Sequence, residues 1–272
     1  MSAPLTVGSE LRRQAGRRRS LVVLLLVVAL PLLVVGAFAL GDDDGSAGAA
    51  PSLVDLATSS GVNFALFVLL AAGGFLLGIV VALLAGDAVA SEASWSTLRY
   101  LLAAPVPRAR LLRVKLVVAL LSGAAAVVSL VVAALGVGVL FYGGGELTTI
   151  TGLRLAPGTA VARLGLSAAY VFVSLLWVAA LAFWLGTRTD AALGAVGGAV
   201  LAIIVSGILD SITALGGLRV WLPTHDSTAW LDAFAPVVDG SDMLRGALVS
   251  VAWSVPALVA AWWGFSRKDV LS

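Results

Sequence analysis

Residues 92–115 read EASWSTLRYLLAAPVPRARLLRVK. Glu92 opens the stretch, and Ser94 suits the N-cap of a helix because its hydroxyl can accept a free backbone N–H. At about 100° per residue, Trp95, Leu98 and Leu102 fall within about 60° of arc, with Thr97 and Tyr100 on the far side. Arg99 stands beside the apolar face. Pro105 stops the helix, and Pro107 is expected to keep the following residues extended. Leu111 and Leu112 then begin a long apolar run, entered through Arg108, Arg110, Arg113 and Lys115. The pattern predicts a short amphipathic helix over residues 94–104, parallel to a membrane surface, followed by a fixed corner. Periodicity leaves two readings open. The helix lies on anionic lipid, or it is a surface that another protein touches.

The rest of the chain supplies the membrane. Of 272 residues, 60% are hydrophobic and 12% charged, against about 25% charged in a soluble domain. Mean hydropathy is +1.07. A chain this apolar belongs in lipid. Cysteine is absent, which excludes disulfides, a thiol nucleophile and cysteine-based metal sites. The basic residues are clustered by span, which argues against nucleic-acid binding.

Six apolar runs approach the roughly 20 residues that cross about 30 Å of hydrocarbon. They cover residues 20–40, 62–85, 116–142, 164–187, 191–209 and 248–265. Backbone amides in lipid have no water partner, so these runs are expected to be helices. None alternates as a barrel strand would. The third is long enough to tilt or to project from the bilayer. Residues 1–19 form a basic N-terminal segment. The domain over 20–272 contains an inner loop at 86–115 and an outer segment at 210–247.

Lysine and arginine mark the cytoplasmic face. Arg12, Arg13, Arg17, Arg18 and Arg19 precede the first run, and Arg99, Arg108, Arg110, Arg113 and Lys115 follow the second. Arg188, Arg267 and Lys268 fall on the same side. Of the 17 basic residues, only Arg154, Arg163, Arg219 and Arg245 fall on the other. Both termini are therefore expected inside. A rival reading treats the first run as a signal peptide ending at Ala37-Phe38-Ala39. Its length of about 20 residues exceeds the 7–15 of a signal core and favours a retained span.

Among the connections, Arg188-Thr189-Asp190 reads as a tight inner turn, with Asp190 able to cap the fifth run. Gly41–Gly61 reads as an outer loop. In the outer segment, Trp221 and Trp230 would suit the headgroup level.

The order Glu92, Thr97-Leu98-Arg99, Leu101-Leu102, Pro105-Val106, Arg108, Leu111-Leu112, Lys115 resembles the loop between spans two and three of ABC-2 type transporter permeases. Ser96 stands where many relatives have glycine. Glu10-Leu11-Arg12-Arg13, Leu222-Pro223-Thr224-His225 with Trp230, and Phe265-Ser266-Arg267-Lys268-Asp269 resemble other parts of the same family, particularly its actinobacterial members. The resemblance implies an all-α polytopic protein of six transmembrane helices with both termini cytoplasmic. It implies a permease subunit of a bacterial exporter, located in the cell membrane. The partners implied are an ABC ATPase, which uses ATP and Mg, and a second permease copy, identical or similar. An amphipathic coupling helix between helices 2 and 3 would meet that ATPase through Glu92, Trp95, Thr97, Leu98, Arg99, Leu102, Pro105 and Arg108.

The chain carries its own test of the ATPase. A phosphate-binding P-loop needs Gly-Lys followed by Ser or Thr. The two lysines, Lys115 after Val114 and Lys268 after Arg267, meet neither condition. ATP-driven work by that route needs a partner in trans, and this chain is expected to bind no cofactor.

Other candidates have quieter readings. His225 with Asp226 and Ser227 is the basis of an intramembrane-enzyme alternative, although adjacent residues seldom form a triad. A permease-like regulatory or sensory protein is the other alternative. Asp87 and Glu92 sit at a membrane boundary beside arginines, which suits solvated or ion-paired roles more than acid–base chemistry. Gly74 with Gly78, and Gly194 with Gly198, have the spacing of close helix packing. The run interiors hold almost no ionisable residue, whereas a proton-driven carrier normally needs one. This favours an external energy source and an apolar or amphipathic substrate.

Overall fold

A computed structural model describes residues 6–41, 52–94, 107–189 and 191–267. The described residues are almost entirely helical. Helix α1 spans Val7–Ala15 and α2 Arg18–Leu40. Short α3 (Leu53–Thr58) leads into α4 (Gly61–Gly73) and α5 (Leu76–Ser94). Helix α6 runs from Arg108 to Tyr142. A two-residue-strand hairpin, β1 (Leu147–Thr148) and β2 (Arg154–Leu155), pairs antiparallel, Leu147 opposite Leu155. Then follow α7 (Pro157–Ser174), α8 (Leu176–Arg188), α9 (Ala192–Ser211), 3₁₀ turns over Thr213–Trp221 and Ala229–Phe234, and α10 (Ser241–Ser266).

The protein is a polytopic helical membrane protein. Five helical segments are long and apolar enough to cross: α2, α6, α7 with α8, α9 and α10. The pair α4 and α5 makes a sixth if it counts as one span, bent by 58°. The bend falls at Gly73-Gly74, where no side chain stiffens the backbone and the helical ladder is interrupted.

Each helix outruns its apolar stretch, because hydropathy marks the lipid-exposed length and not the hydrogen-bonded one. Helix α6 is the clearest case. It begins at Arg108, directly after Pro107 as N-cap, so the expectation of extended chain after Pro107 is corrected. Proline suits a helix start, where its missing N–H is no loss. At 1.5 Å per residue the helix is about 52 Å long, well beyond the hydrocarbon thickness.

The pair α7–α8 is the most enclosed of these segments, with α8 packed against α5, α9 and α10. Phe183, Val178 and Ala182 there are fully buried. Helix α2 touches the bundle mainly through α6 and exposes most of its leucines. In lipid, helix association gains little from hydrophobicity and depends on close packing and internal hydrogen bonds.

Both devices are present. A Cβ on Gly61 would fall 2.6 Å from the Val139 nitrogen, and one on Gly186 2.6 Å from the Gly86 oxygen. These glycines bring α4 onto α6 and α5 onto α8 at backbone contact. Leu175 interrupts the 157–188 segment at φ −92°, ψ 0°. Ser250 of α10 covers that break. Its hydroxyl donates to the Val173 carbonyl at 2.9 Å and accepts the Trp177 N–H at 3.3 Å. A neighbouring serine thus satisfies backbone groups that lipid cannot.

At the Tyr142 end of α6, Asn63 holds the hairpin. Its side chain donates to the Thr148 carbonyl at 2.8 Å and accepts the Thr148 N–H at 3.0 Å. Trp221 is exposed, as expected at a headgroup level, but Trp230 is only 2% exposed and stacks edge-on with Phe234. Trp230 is a core residue of the outer segment, not an interfacial one. Periodicity could not show this, because the segment folds as 3₁₀ turns clasped to α7. Arg163 donates to the carbonyls of Ala233 and Ala235 at 2.9 and 3.1 Å.

Candidate functional site

The expected contact surface is bracketed by two described helices. Glu92 falls in the last turn of α5 and Arg108 is the first residue of α6. Trp95, Thr97, Leu98, Arg99, Leu102 and Pro105 lie outside the described residues, as does Asp190. Both flanks are visible, and both are held by the N-terminal segment, the α6 flank through an element the sequence did not single out as a helix.

That element is α1. Thr6 caps it, accepting the Ser9 N–H at 3.3 Å, while the Ser9 hydroxyl donates to the Thr6 carbonyl at 2.8 Å. Basic Arg12 and Arg13 fall in its last turn, where they complement the helix dipole. Its buried face is polar, formed by Glu10 and Gln14 one turn apart. This face packs on α6, and there the Lys115 ammonium donates to Glu10 Oε1 at 2.5 Å. Arg13 lies 3.8 Å from the other Glu10 oxygen.

The second flank is tied from the α1–α2 junction. Arg19 donates to Asp87 Oδ1 at 2.8 Å and Arg17 to Asp87 Oδ2 at 3.3 Å. Asp87 is 6% exposed and sits on α5 about two turns before its end. Lys115 sits about two turns after the start of α6. The N-terminal segment therefore grips α5 where the chain leaves for the 95–106 stretch and α6 where it returns. Two carboxylates thus face four cations and tie the N-terminal segment to both helices. The sequence leaves Asp87 either solvated or ion-paired and shows no pairing for Glu10 and Lys115. The signal was a lone acid in a basic tail and a lysine beside an apolar run, and their separation hid the pairing.

The glycine pairs divide. A Cβ on Gly78 would meet Ile203 Cδ1 at 2.8 Å, and one on Gly198 would meet Leu185 Cδ1 at 2.6 Å. Gly194 has an ordinary 3.5 Å neighbour, Thr189 Oγ1, and Gly74 has open space.

His225 is held by an acid at the end of α9. His225 Nδ1 lies 2.6 Å from Asp210 Oδ1, which also faces Arg219 Nε at 3.4 Å. The adjacent Asp226 turns away to a fork of hydrogen bonds from Arg245 at 2.9 and 2.5 Å. Tyr170 donates to the Asp226 carbonyl at 2.5 Å. The two acids thus serve different partners, and no hydroxyl is hydrogen-bonded to the imidazole among the described residues. Three or more potential metal ligands are not grouped anywhere among those residues. At the start of α10, Asp239 accepts the Ser241 N–H, which holds its carboxyl below the ordinary range.

A search of curated proteins returns no match at the significance applied. The family described as ABC-2 family transporter protein matches residues 14–270, nearly the whole chain. The chain belongs to that family of non-catalytic membrane transporter subunits.

Proposed function

We propose that the chain is the permease subunit of an ABC-2 exporter, driven by a separate ATPase that docks on residues 92–108. The observation that carries this reading is the double tie at the flanks of that stretch. Lys115–Glu10 anchors the α6 side and Asp87 with Arg17 and Arg19 anchors the α5 side. A force applied to the stretch therefore reaches a braced frame. Pro107 passes it directly into α6, an uninterrupted helix that runs the length of the bundle.

Permeases of this family generally pair with an ATPase subunit and form dimers. In this reading the α4–α5 pair forms one bent span, both termini face the cytoplasm, and the chain resides in a bacterial cell membrane with a second, identical or similar copy. Nucleotide binding closes two ATPases, each of which displaces a coupling helix over residues 94–104. The bend at Gly74 lets α5 shift without dragging α4, and the long lever of α6 carries the displacement across. ATP and Mg stay on the partner. A ligand that shifts inward and outward states must bind them differently.

Substitution at the docking stretch tests the reading. Arg99→Ala and Glu92→Ala should leave the protein inserted and folded while uncoupling ATP hydrolysis from transport in reconstituted vesicles. Transport that survives both changes would show that the coupling surface lies elsewhere.

A further inference from the structure

A partly open cavity of about 410 Å³ lies between α8, α9 and α10, a size within the range of small-molecule sites. Its walls are built on three indoles, Trp177, Trp184 and Trp253, with Leu222 and Pro223 of the outer segment closing one end. We infer that it holds one acyl chain of a bilayer phospholipid.

Three observations select that occupant. First, the flanking helices are all parts of segments long and apolar enough to span a membrane. The medium around the cavity is hydrocarbon, not water. Second, the polar groups of the walls are already committed or sealed. The Ser206 and Thr224 hydroxyls bond each other at 2.7 Å. Trp253 Nε1 donates to the Trp221 carbonyl at 2.9 Å, and Trp184 Nε1, which has no hydrogen-bond partner among the described residues, is buried with no surface open to a guest. A polar ligand would lose its hydrogen bonds to water on entry and find no open partner among these groups. Third, an apolar cavity of this size does not fill with water, which needs two to four polar partners, but it accepts an apolar guest.

The same two hydrogen bonds pin the 221–224 stretch over the cavity, to α9 through Ser206 and to α10 through Trp253. The acyl chain lies within the walls, and the headgroup stays outside them. This site rests on the membrane fold alone and stands or falls independently of ATPase docking.

The test uses the full chain purified in detergent and titrated with a phospholipid carrying brominated acyl chains, which quench nearby indoles. Saturable quenching of tryptophan fluorescence is expected. Ala257→Phe and Ala202→Phe each place a ring in the cavity and should weaken that binding at least about tenfold, since an overfilled site excludes the chain. Leu25→Phe on the exposed face of α2 should leave it unchanged. In the unaltered protein, a long-chain alkane should compete and a soluble phosphocholine headgroup should not. Quenching that rises without saturation, or competition by the headgroup alone, would overturn the proposal. So would unchanged binding in both cavity variants with native circular dichroism.

Discussion

The Lys115 ammonium and Glu10 Oε1 stand 2.5 Å apart, and the two side chains are 4% and 3% exposed. One comes from the N-terminal helix and the other from the start of α6, 105 positions later. A buried ion pair is a strong constraint on geometry and a modest source of stability, because desolvation offsets most of the attraction. Removing one partner costs the other its shortest contact, although Glu10 keeps Arg13 at 3.8 Å. Lys115→Met or Glu10→Leu should each lower stability by about 1–3 kcal/mol, the range for a lost charged hydrogen bond. The double variant should recover most of that loss, since an apolar pair of similar volume avoids the desolvation cost. Thermal unfolding of the four proteins in one detergent checks it, and additive losses would contradict it.

The glycines make a contrasting pair of predictions. Gly186→Ala puts a methyl group against the Gly86 carbonyl, where backbone cannot yield. We expect a loss of about 1–3 kcal/mol or a misassembled bundle. Gly74→Ala meets nothing within 4 Å. It should be neutral or slightly stabilising for the fold, because alanine favours helix over glycine by about 1 kcal/mol. If α5 must pivot at Gly74, transport should fall while stability does not.

Ser250→Ala removes the hydroxyl that covers the Leu175 break. Two carbonyls and one N–H lose a partner in a region without water. A loss of about 1–3 kcal/mol is expected from stranded buried polar groups. Ser250→Thr, which keeps the hydroxyl, should restore most of it. Equal stability of the alanine variant would mean that the break is satisfied from within its own helix.

In the outer segment, Arg245→Ala leaves the buried Asp226 carboxylate without its fork and should destabilise the protein. His225→Ala breaks one partly exposed contact with Asp210. The histidine variant should keep its transport and lose at most about 1 kcal/mol of stability, the contribution of a partly exposed contact of this kind. A transport assay on both variants separates a structural histidine from a chemical one, and abolition by His225→Ala would revive the enzyme alternative.

The spans were legible because lipid imposes one simple rule, a run of apolar residues about 20 long. All six runs contain a helix, although the second is bent and the third starts well before Leu116. The interruptions were harder to read. The bend at Gly73-Gly74 was not legible, because Gly74 reads as a helix-packing residue, and the break at Leu175 has no glycine or proline and is covered by Ser250 from another helix. The hairpin at 147–155 depends on Asn63, 85 positions away from Thr148. Trp230 looked interfacial by residue type and is core by tertiary contact. The tie between α1 and the loop flanks is also tertiary: its charges were visible, but their pairing was not.

The central claim is that this permease works with a separate ATPase at residues 92–108. The most direct measurement is purification of the tagged full chain from its native host in mild detergent, reading ATPase activity and partner identity together. The account predicts a co-purifying P-loop ATPase that is lost from Arg99→Glu while the variant remains folded and inserted. Recovery of the unaltered chain without an ATPase, under conditions that retain other membrane complexes, would contradict it.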